Sequence, residues 1–250
     1  MEKESGGSIQ SIRRCFALLE ALAQCGGAGA ELKTLAQSTG LPKSTAHRIL
    51  SNLIELGYVG QAPDTGNYRA TLRLFEIGSG LVGKMDVVTI ARPYLDELSA
   101  RLGETVHMVV RDGTEVVYVH KAEAGTLTMG SRIGARIPMY CTAVGKAILA
   151  SLPHAQVRQI WEQSDHTHRT PATVQSFEAL EKQLSTVRRR GWALDDEENE
   201  PGIRCVAVAL PSAAGMGAAF SISSTAARIT DDRALYLAEQ CMEVAARIRL

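Results

Sequence analysis

The sequence has no apolar run approaching the ~20 residues that a helix needs to cross a bilayer, which excludes a helical membrane span. It also lacks an excess of either charge, since 27 Lys and Arg stand against 27 Asp and Glu. A chain coated in positive charge for nucleic acid is thereby ruled out, and any such patch has to be local. The five cysteines, Cys15, Cys25, Cys141, Cys205 and Cys241, are odd in number and scattered, with neither metal-ligand nor disulfide-framework spacing. Reduced thiols follow. The opening MEKESGGSIQ has no apolar core of an export signal, so the expectation is a cytoplasmic protein without a membrane partner. No hydrolase, nucleotide-binding or kinase signature is present. Gly145-Lys146 comes nearest to a phosphate-binding loop, but the glycine required ahead of it is Tyr140. Nothing calls for a cofactor or a metal.

What is present is ordinary for a soluble globular chain: 250 residues, 45% hydrophobic and 22% charged. That length accommodates a small domain and a larger one. Residues 31–55 are the most informative stretch. After a helix over Ser11–Gln24 and the loop CGGAGA, a short amphipathic helix starts at Leu35 and Ala36 and stops at Gly40. Pro42 then sits where a first-turn proline opens another helix. Within that helix Ala46, Ile49, Leu50 and Leu53 recur at i, i+3, i+4, i+7 and form one buried stripe. Successive residues turn by ~100°, which puts Ser44, Arg48 and Ser51 opposite the stripe, flanked by Thr45, His47 and Asn52; Lys43 at the helix start joins them as a DNA-contact candidate. From Leu32 to Ile54 there is no Asp or Glu, while Lys33, Lys43 and Arg48 are present. A helix facing only solvent mixes both signs; this face suits phosphates and base edges.

The segments Gly57–Gln61 and Asn67–Ala70, around the turn Pro63-Asp64-Thr65-Gly66, read as a hairpin. Helix, turn, helix and hairpin in that order make a winged helix-turn-helix, whose second helix enters the major groove. The plainer reading is a small helical subdomain with a polar surface, in which Tyr58 packs under the hairpin.

Beyond it, Leu72–Lys84 is a helical pattern loosened by Gly78, Gly80 and Gly83. Leu95, Leu98 and Leu102 stripe a helix entered near Pro93. Thr105–Arg111 and Glu115–His120 are β-rich runs around Asp112-Gly113. A short helix follows over Cys141–Leu152. Ser176 caps another, striped by Leu180, Leu184 and Val187, whose closing Arg188-Arg189-Arg190 complements the helix dipole. Strands at Ile203–Leu210 and Gly217–Ser223 precede a last helix, capped by Thr230 and striped by Leu237, Cys241, Val244 and Ile248. Strands with helices around them and no βαβ alternation make an α+β fold.

Within this part, Tyr140–Lys146 puts small residues and free backbone N–H groups at a helix start, a ready seat for a carboxylate. Ser221 and Ser223 share one face of a strand and Phe220 and Ile222 the other. These hydroxyls either meet a polar partner or bond neighbouring backbone. The run Asp195–Glu200 has five acids in six positions; it reads as a solvated loop with one inward carboxylate. His166-Thr167-His168 reads as surface histidines. An enzymatic alternative pairs Cys141, near a helix start that lowers thiol pKa, with His107 or His120 as base.

Three stretches, LPKSTAHRILSNLIELGYV, SRIGARIPMYCTAVGKAILA and DDEENEPGIRCVAVALP with FSISS, stand in order and together resemble the IclR family of bacterial regulators. The resemblance runs from about Ser8 to the C-terminus. It implies a DNA-binding domain at 8–71, a linker helix at 72–86, and a GAF-like effector domain at 87–250 with a curved antiparallel sheet flanked by helices. It also implies a homodimer or homotetramer on a palindromic double-stranded operator, acting as repressor or activator. The effector pocket, by the same resemblance, is lined by Ala143, Val144, Asp195, Ile203, Cys205, Ser221 and Ser223 and takes a small carboxylate. Cys205 is equally readable as an inert buried thiol. The SRIG-to-GK segment resembles members answering to sugar-acid breakdown products, so a 2-keto-3-deoxy sugar acid is the first expectation. Arg132 either neutralises that ligand or is solvated. The competing classes are a ligand-binding module and a cysteine-dependent hydrolase, neither with a DNA-binding role.

Overall fold

The computed structural model describes residues 5–124, 130–210 and 217–249. The chain separates into two compact units, 1–81 and 82–250.

The first unit comprises α1 (Ser5–Gln24), α2 (Leu32–Ser38), α3 (Lys43–Glu55), the strands β1 (Val59–Gln61) and β2 (Tyr68–Ala70), and most of α4 (Arg73–Val82). Its core is Leu18, Leu22, Leu35, Ala46, Leu50, Leu53, Val59 and Tyr68, with Ile49 and Tyr58 packed at the margin. Helix α2 begins at Leu32, three residues ahead of the sequence reading, because the chain turns helical directly after the extended Glu31. Pro42 is the cap of α3 and not its first turn, with ψ at 139°. Its fixed φ suits either place, and packing of Ala46 and Leu50 sets the register. Gly29 has φ +64°, and a Cβ there would lie 2.2 Å from the Tyr68 carbonyl. Only glycine admits the Ala30–Tyr68 bridge that ties the wing to the first helices.

The second unit is a six-stranded antiparallel sheet between helices. Its strands are β3 (Thr105–Asp112), β4 (Glu115–Ala122), β5 (Arg136–Pro138), β6 (Ala193–Asp196), β7 (Ile203–Leu210) and β8 (Ala218–Thr225). They lie in the order β5-β4-β3-β8-β7-β6. A bulge at Met108/Val109 interrupts the β3–β4 register and strengthens the local twist. Helices α5 (Asp86–Leu102) and α9 (Asp231–Arg247) cover one face, over Val106, Met108, Val206, Val208, Phe220 and Ile222. Helices α6 (Ala143–Ser151), α7 (His154–Gln163) and α8 (Phe177–Arg190) cover the other, over Val109, Val116, Ala193, Ala207 and Ala219. The caps expected at Ser176 and Thr230 are formed, each hydroxyl accepting from a first-turn N–H. Pro93 lies inside α5 rather than at its entry. It is exposed, as is Thr89, so the carbonyl that loses its helical partner faces water, while Val88, Ala91, Leu95 and Leu98 hold the helix beneath.

Leu50 is fully buried at the centre of the first unit's core. Leu50→Ala is expected to cost that unit about 2–5 kcal/mol, transfer and cavity costs together. Urea denaturation followed by hydrogen exchange in α2 and α3 measures the loss.

Candidate functional site

The reading face of the first unit follows from the burial of α3. With Ala46, Leu50 and Leu53 inward, Lys43, Ser44, His47, Arg48 and Asn52 are exposed and Thr45 and Ser51 half-buried. The first turn of α3 carries no acid, so its unpaired N–H groups and Lys43 present one positive end. The wing beside it is braced at its base. Thr71 Oγ1 donates to the Gly57 carbonyl at 2.6 Å, and the Arg73 guanidinium lies 5.1 Å from the Tyr58 ring centre. Arg69 on β2 is exposed while its neighbour Tyr68 is buried. Sequence reading passed over this outward cation, although the alternation of the strand signals it.

In the second unit the strand register aligns the pocket candidates. Asp195 pairs with Cys205, Cys205 with Ser223, and Ser223 with Thr105; in the adjacent row Ala193, Ala207, Ser221 and His107 stand side by side. Paired residues share a face, here the face covered by α6. Ser221, Ser223 and Asp195 are buried. Ile203 lies two residues before Cys205 on the same face, half-buried. Above the sheet, Thr142 caps α6 by accepting from the Gly145 N–H at 3.2 Å, and donates to the Pro138 carbonyl at 2.7 Å. The N–H groups of Ala143 and Val144 come earlier in the turn than any helical acceptor can reach. Gly145 is required by contact, because a Cβ there would lie 2.3 Å from the Met139 backbone. The expected residues are thus assembled on one side of the sheet, while Arg132 is exposed.

Several details differ from the sequence reading. The acid run has two inward carboxylates. Asp195 Oδ1 accepts from the N–H of Glu198 at 2.9 Å and of Asn199 at 3.3 Å. Glu198 turns back to Lys146, Oε1 to Nζ at 2.5 Å, and Gln183 Oε1 accepts from the same Nζ at 2.9 Å. Lys146 is therefore a buried ion-pair partner 1% exposed, committed to the loop after β6. Both acids are held up by burial, which outweighs the pull of Lys146; Asp195 is pushed up to about 7. His166 is half-buried against Trp161, ring centres 3.9 Å apart, and does not stand in solvent. The enzymatic alternative loses its nucleophile and one base. Burial pushes the Cys141 thiol up to about 12, the reverse of activation. His120 bonds Asp96 of α5 at 2.7 Å, under the opposite face of the sheet. Among the described residues no cluster of His, Cys, Asp and Glu has the form of a metal site, and no helix is long and apolar enough to cross a membrane.

A second helix whose exposed face carries no acid before Glu55, set beside a hairpin wing, together with a separate sheet unit, is the arrangement of a helix-turn-helix regulator. The chain matches the family models for the IclR helix-turn-helix domain over residues 11–63 and for the bacterial transcriptional regulator IclR C-terminal part over residues 79–250. It belongs to the IclR family and is a DNA-binding transcriptional regulator. It is 38% identical to the HTH-type transcriptional regulator XynR of Escherichia coli over 239 residues, 94% of each chain. To KdgR of Escherichia coli it is 37% identical, over 90% of this chain and 86% of that one. The crystal structure of Thermotoga maritima IclR superposes with a TM-score of 0.80 at 30% identity, covering 96% of this chain and 99% of that one.

The raised carboxyl of Asp195 sets a pH dependence. A group that binds its proton more tightly folded than unfolded stabilises below its unfolded pKa and loses that contribution as pH rises through the folded one. The contribution of Asp195 is therefore expected to decline between about pH 3.8 and 7. Asp195→Asn keeps an oxygen for the two N–H groups and removes the titration. Urea denaturation at pH 5 and pH 8 is expected to show the variant gaining on the wild type as pH rises.

Proposed function

We infer that this regulator is controlled by a small organic acid seated between the start of α6 and the row of β8, and that residues 42–55 read its operator. The observation that carries the inference is the coincidence of two polar features on one side of the sheet. The Ala143 and Val144 N–H groups favour an anion, and the hydroxyls of Ser221 and Ser223, with Cys205 and Asp195 in the adjoining positions and Ile203 at the margin, offer it polar neighbours. The resemblance of the segment from Ser131 to Lys146 to sugar-acid-responsive members supports a 2-keto-3-deoxy sugar acid as the first ligand to try. Binding biases an equilibrium between arrangements of the reading heads, by as much as the ligand's affinity differs between them. The protein acts without turnover, in the cytoplasm, and its domains run over 8–71, 72–86 and 87–250.

Self-association supports a palindromic operator. On α1 the side chains of Ile9, Ile12 and Phe16 are exposed, as are Phe75, Ile77 and Leu81 on α4. Large apolar side chains at helical spacing are covered in a dimer or tetramer at low cost.

On the DNA side, Arg48→Ala is expected to weaken operator binding by roughly 1–3 kcal/mol and relax specificity at one base position. Lys43→Ala is expected to weaken all sequences alike and to make the salt dependence shallower by about one phosphate contact. Gel shifts across a salt series read both, and unchanged binding in the two variants would move the reading helix elsewhere. On the ligand side, combining Ser221→Ala with Ser223→Ala is expected to weaken the acid by roughly 0.5–1.5 kcal/mol per lost neutral bond and to leave ligand-free DNA binding intact. Calorimetry and gel shift on the double variant decide; loss of DNA binding without ligand would make the serines structural.

A further inference from the structure

His107 on β3 is 2% exposed and belongs to neither the apolar core nor the helix start that seats an anion. Beside it on the same face stand Val109, Ala207 and Ala219. An imidazole among such neighbours is tolerated only with its nitrogens bonded, and both are. Nδ1 lies 3.2 Å from Ser223 Oγ, and Nε2 lies 2.6 Å from Ser131 Oγ. Ser223 Oγ is in turn 3.4 Å from Ser221 Oγ. The four residues make a chain, Ser221–Ser223–His107–Ser131, of neutral groups that both donate and accept. Tyr118 backs the imidazole at 5.0 Å between ring centres.

The charge state fixes what this chain can recognise. Burial, reinforced by Lys121 and His120 and opposed by Glu123, lowers the imidazole to about 4, so near pH 7 it is neutral. It has no charge for a carboxylate, whose natural seat is the start of α6. A neutral donor–acceptor chain instead matches hydroxyl or keto oxygens, which satisfy it without leaving a buried polar group unpaired. An apolar or aromatic acid that displaces Ser131 Oγ leaves Nε2 unpaired.

We propose that His107 is a specificity-determining residue of the effector site, bonding a hydroxyl or keto oxygen on the carbon chain of the ligand in the place that Ser131 Oγ holds in this structure. The proposal rests on the effector reading above and narrows it to hydroxylated acids. Three members of the chain stand on rigid strands of the sheet. Ser131 belongs to the segment ahead of β5, where exchange of one hydroxyl for another moves no strand.

The test is calorimetry on the full chain at pH 7 with D-gluconate and hexanoate, acids of equal length with and without hydroxyls. The wild type is expected to prefer gluconate. His107→Phe keeps a ring against Tyr118 but no nitrogen, and is expected to bind gluconate roughly tenfold more weakly, the size of one good neutral hydrogen bond, and to lose most of the preference. His107→Gln restores a donor and an acceptor and is expected to recover it. A change in preference reports on recognition, whereas a merely structural role moves both acids together. Wild-type affinity for gluconate in His107→Phe, or equal binding of both acids by the wild type, overturns the proposal. If organic acids without hydroxyls bind and gluconate does not, the hydroxylated class is wrong while the effector reading stands; if no organic acid binds, the effector reading itself fails. Thermal melts check folding, and Ser131→Ala supplies a second variant. Removing the competing hydroxyl is expected to leave gluconate affinity equal or higher, and a tenfold loss instead overturns the exchange.

Discussion

The second unit depends on β8 serving two environments at once. It lies between β3 and β7 near the middle of the sheet, so both faces of its pleat are covered. Phe220 and Ile222 point into the apolar layer under α5 and α9, and Ser221 and Ser223 into the polar row under α6. With a side-chain period of two, a slip of one residue would drive two hydroxyls into the apolar layer and two large apolar groups into the polar row. Register is therefore enforced from both sides, and the same enforcement lines up Asp195, Cys205 and Ser223 across three strands. This alignment is a by-product of the constraint that makes the sheet fold one way.

A related economy governs the start of α6. Gly145 lets the Met139 backbone come into contact, and Thr142 closes the turn from the other side. Gly217 does the same for the body of the helix, since a Cβ there would come within 2.7 Å of Ile148. These close approaches hold the first N–H groups of α6 over the sheet face that carries the polar row. Lys146, one turn in, is taken out of that space by Glu198 and Gln183. A buried pair of this kind stabilises little by itself, and loss of one partner leaves the other uncompensated. Its consequence here is positional: it fixes the loop after β6, whose N–H groups hold the Asp195 carboxylate.

The first unit solves a simpler problem. A helix with one apolar stripe has its opposite face determined as soon as the stripe is buried, so the exposure of Lys43, Ser44, His47, Arg48 and Asn52 follows directly from Ala46, Leu50 and Leu53. Within the same unit, the large apolar side chains left exposed on α1 and α4 lie on helices other than the one that carries this polar face.

Periodicity made α3, the wing, the β3–β4 hairpin and the capped helices α8 and α9 legible in the sequence, because each rests on local signals: a stripe, a cap, an Asp-Gly turn. The pairing of Ser221 with Ser223 was legible for the same reason. The internal position of Pro93 was not, since propensity marks a boundary and only the burial of Leu95 and Leu98 beneath overrides it. Nor were the Lys146–Glu198 pair, the stacking of His166 on Trp161, or the burial of His107 against Ser131 and Ser223. Each joins segments 5 to 116 residues apart, and a distance along the chain carries no information about which face of the sheet a side chain meets. The sequence by itself determined which residues share a face; the tertiary structure alone decided which faces meet, because strand order and helix placement are set by packing between segments that no local pattern links.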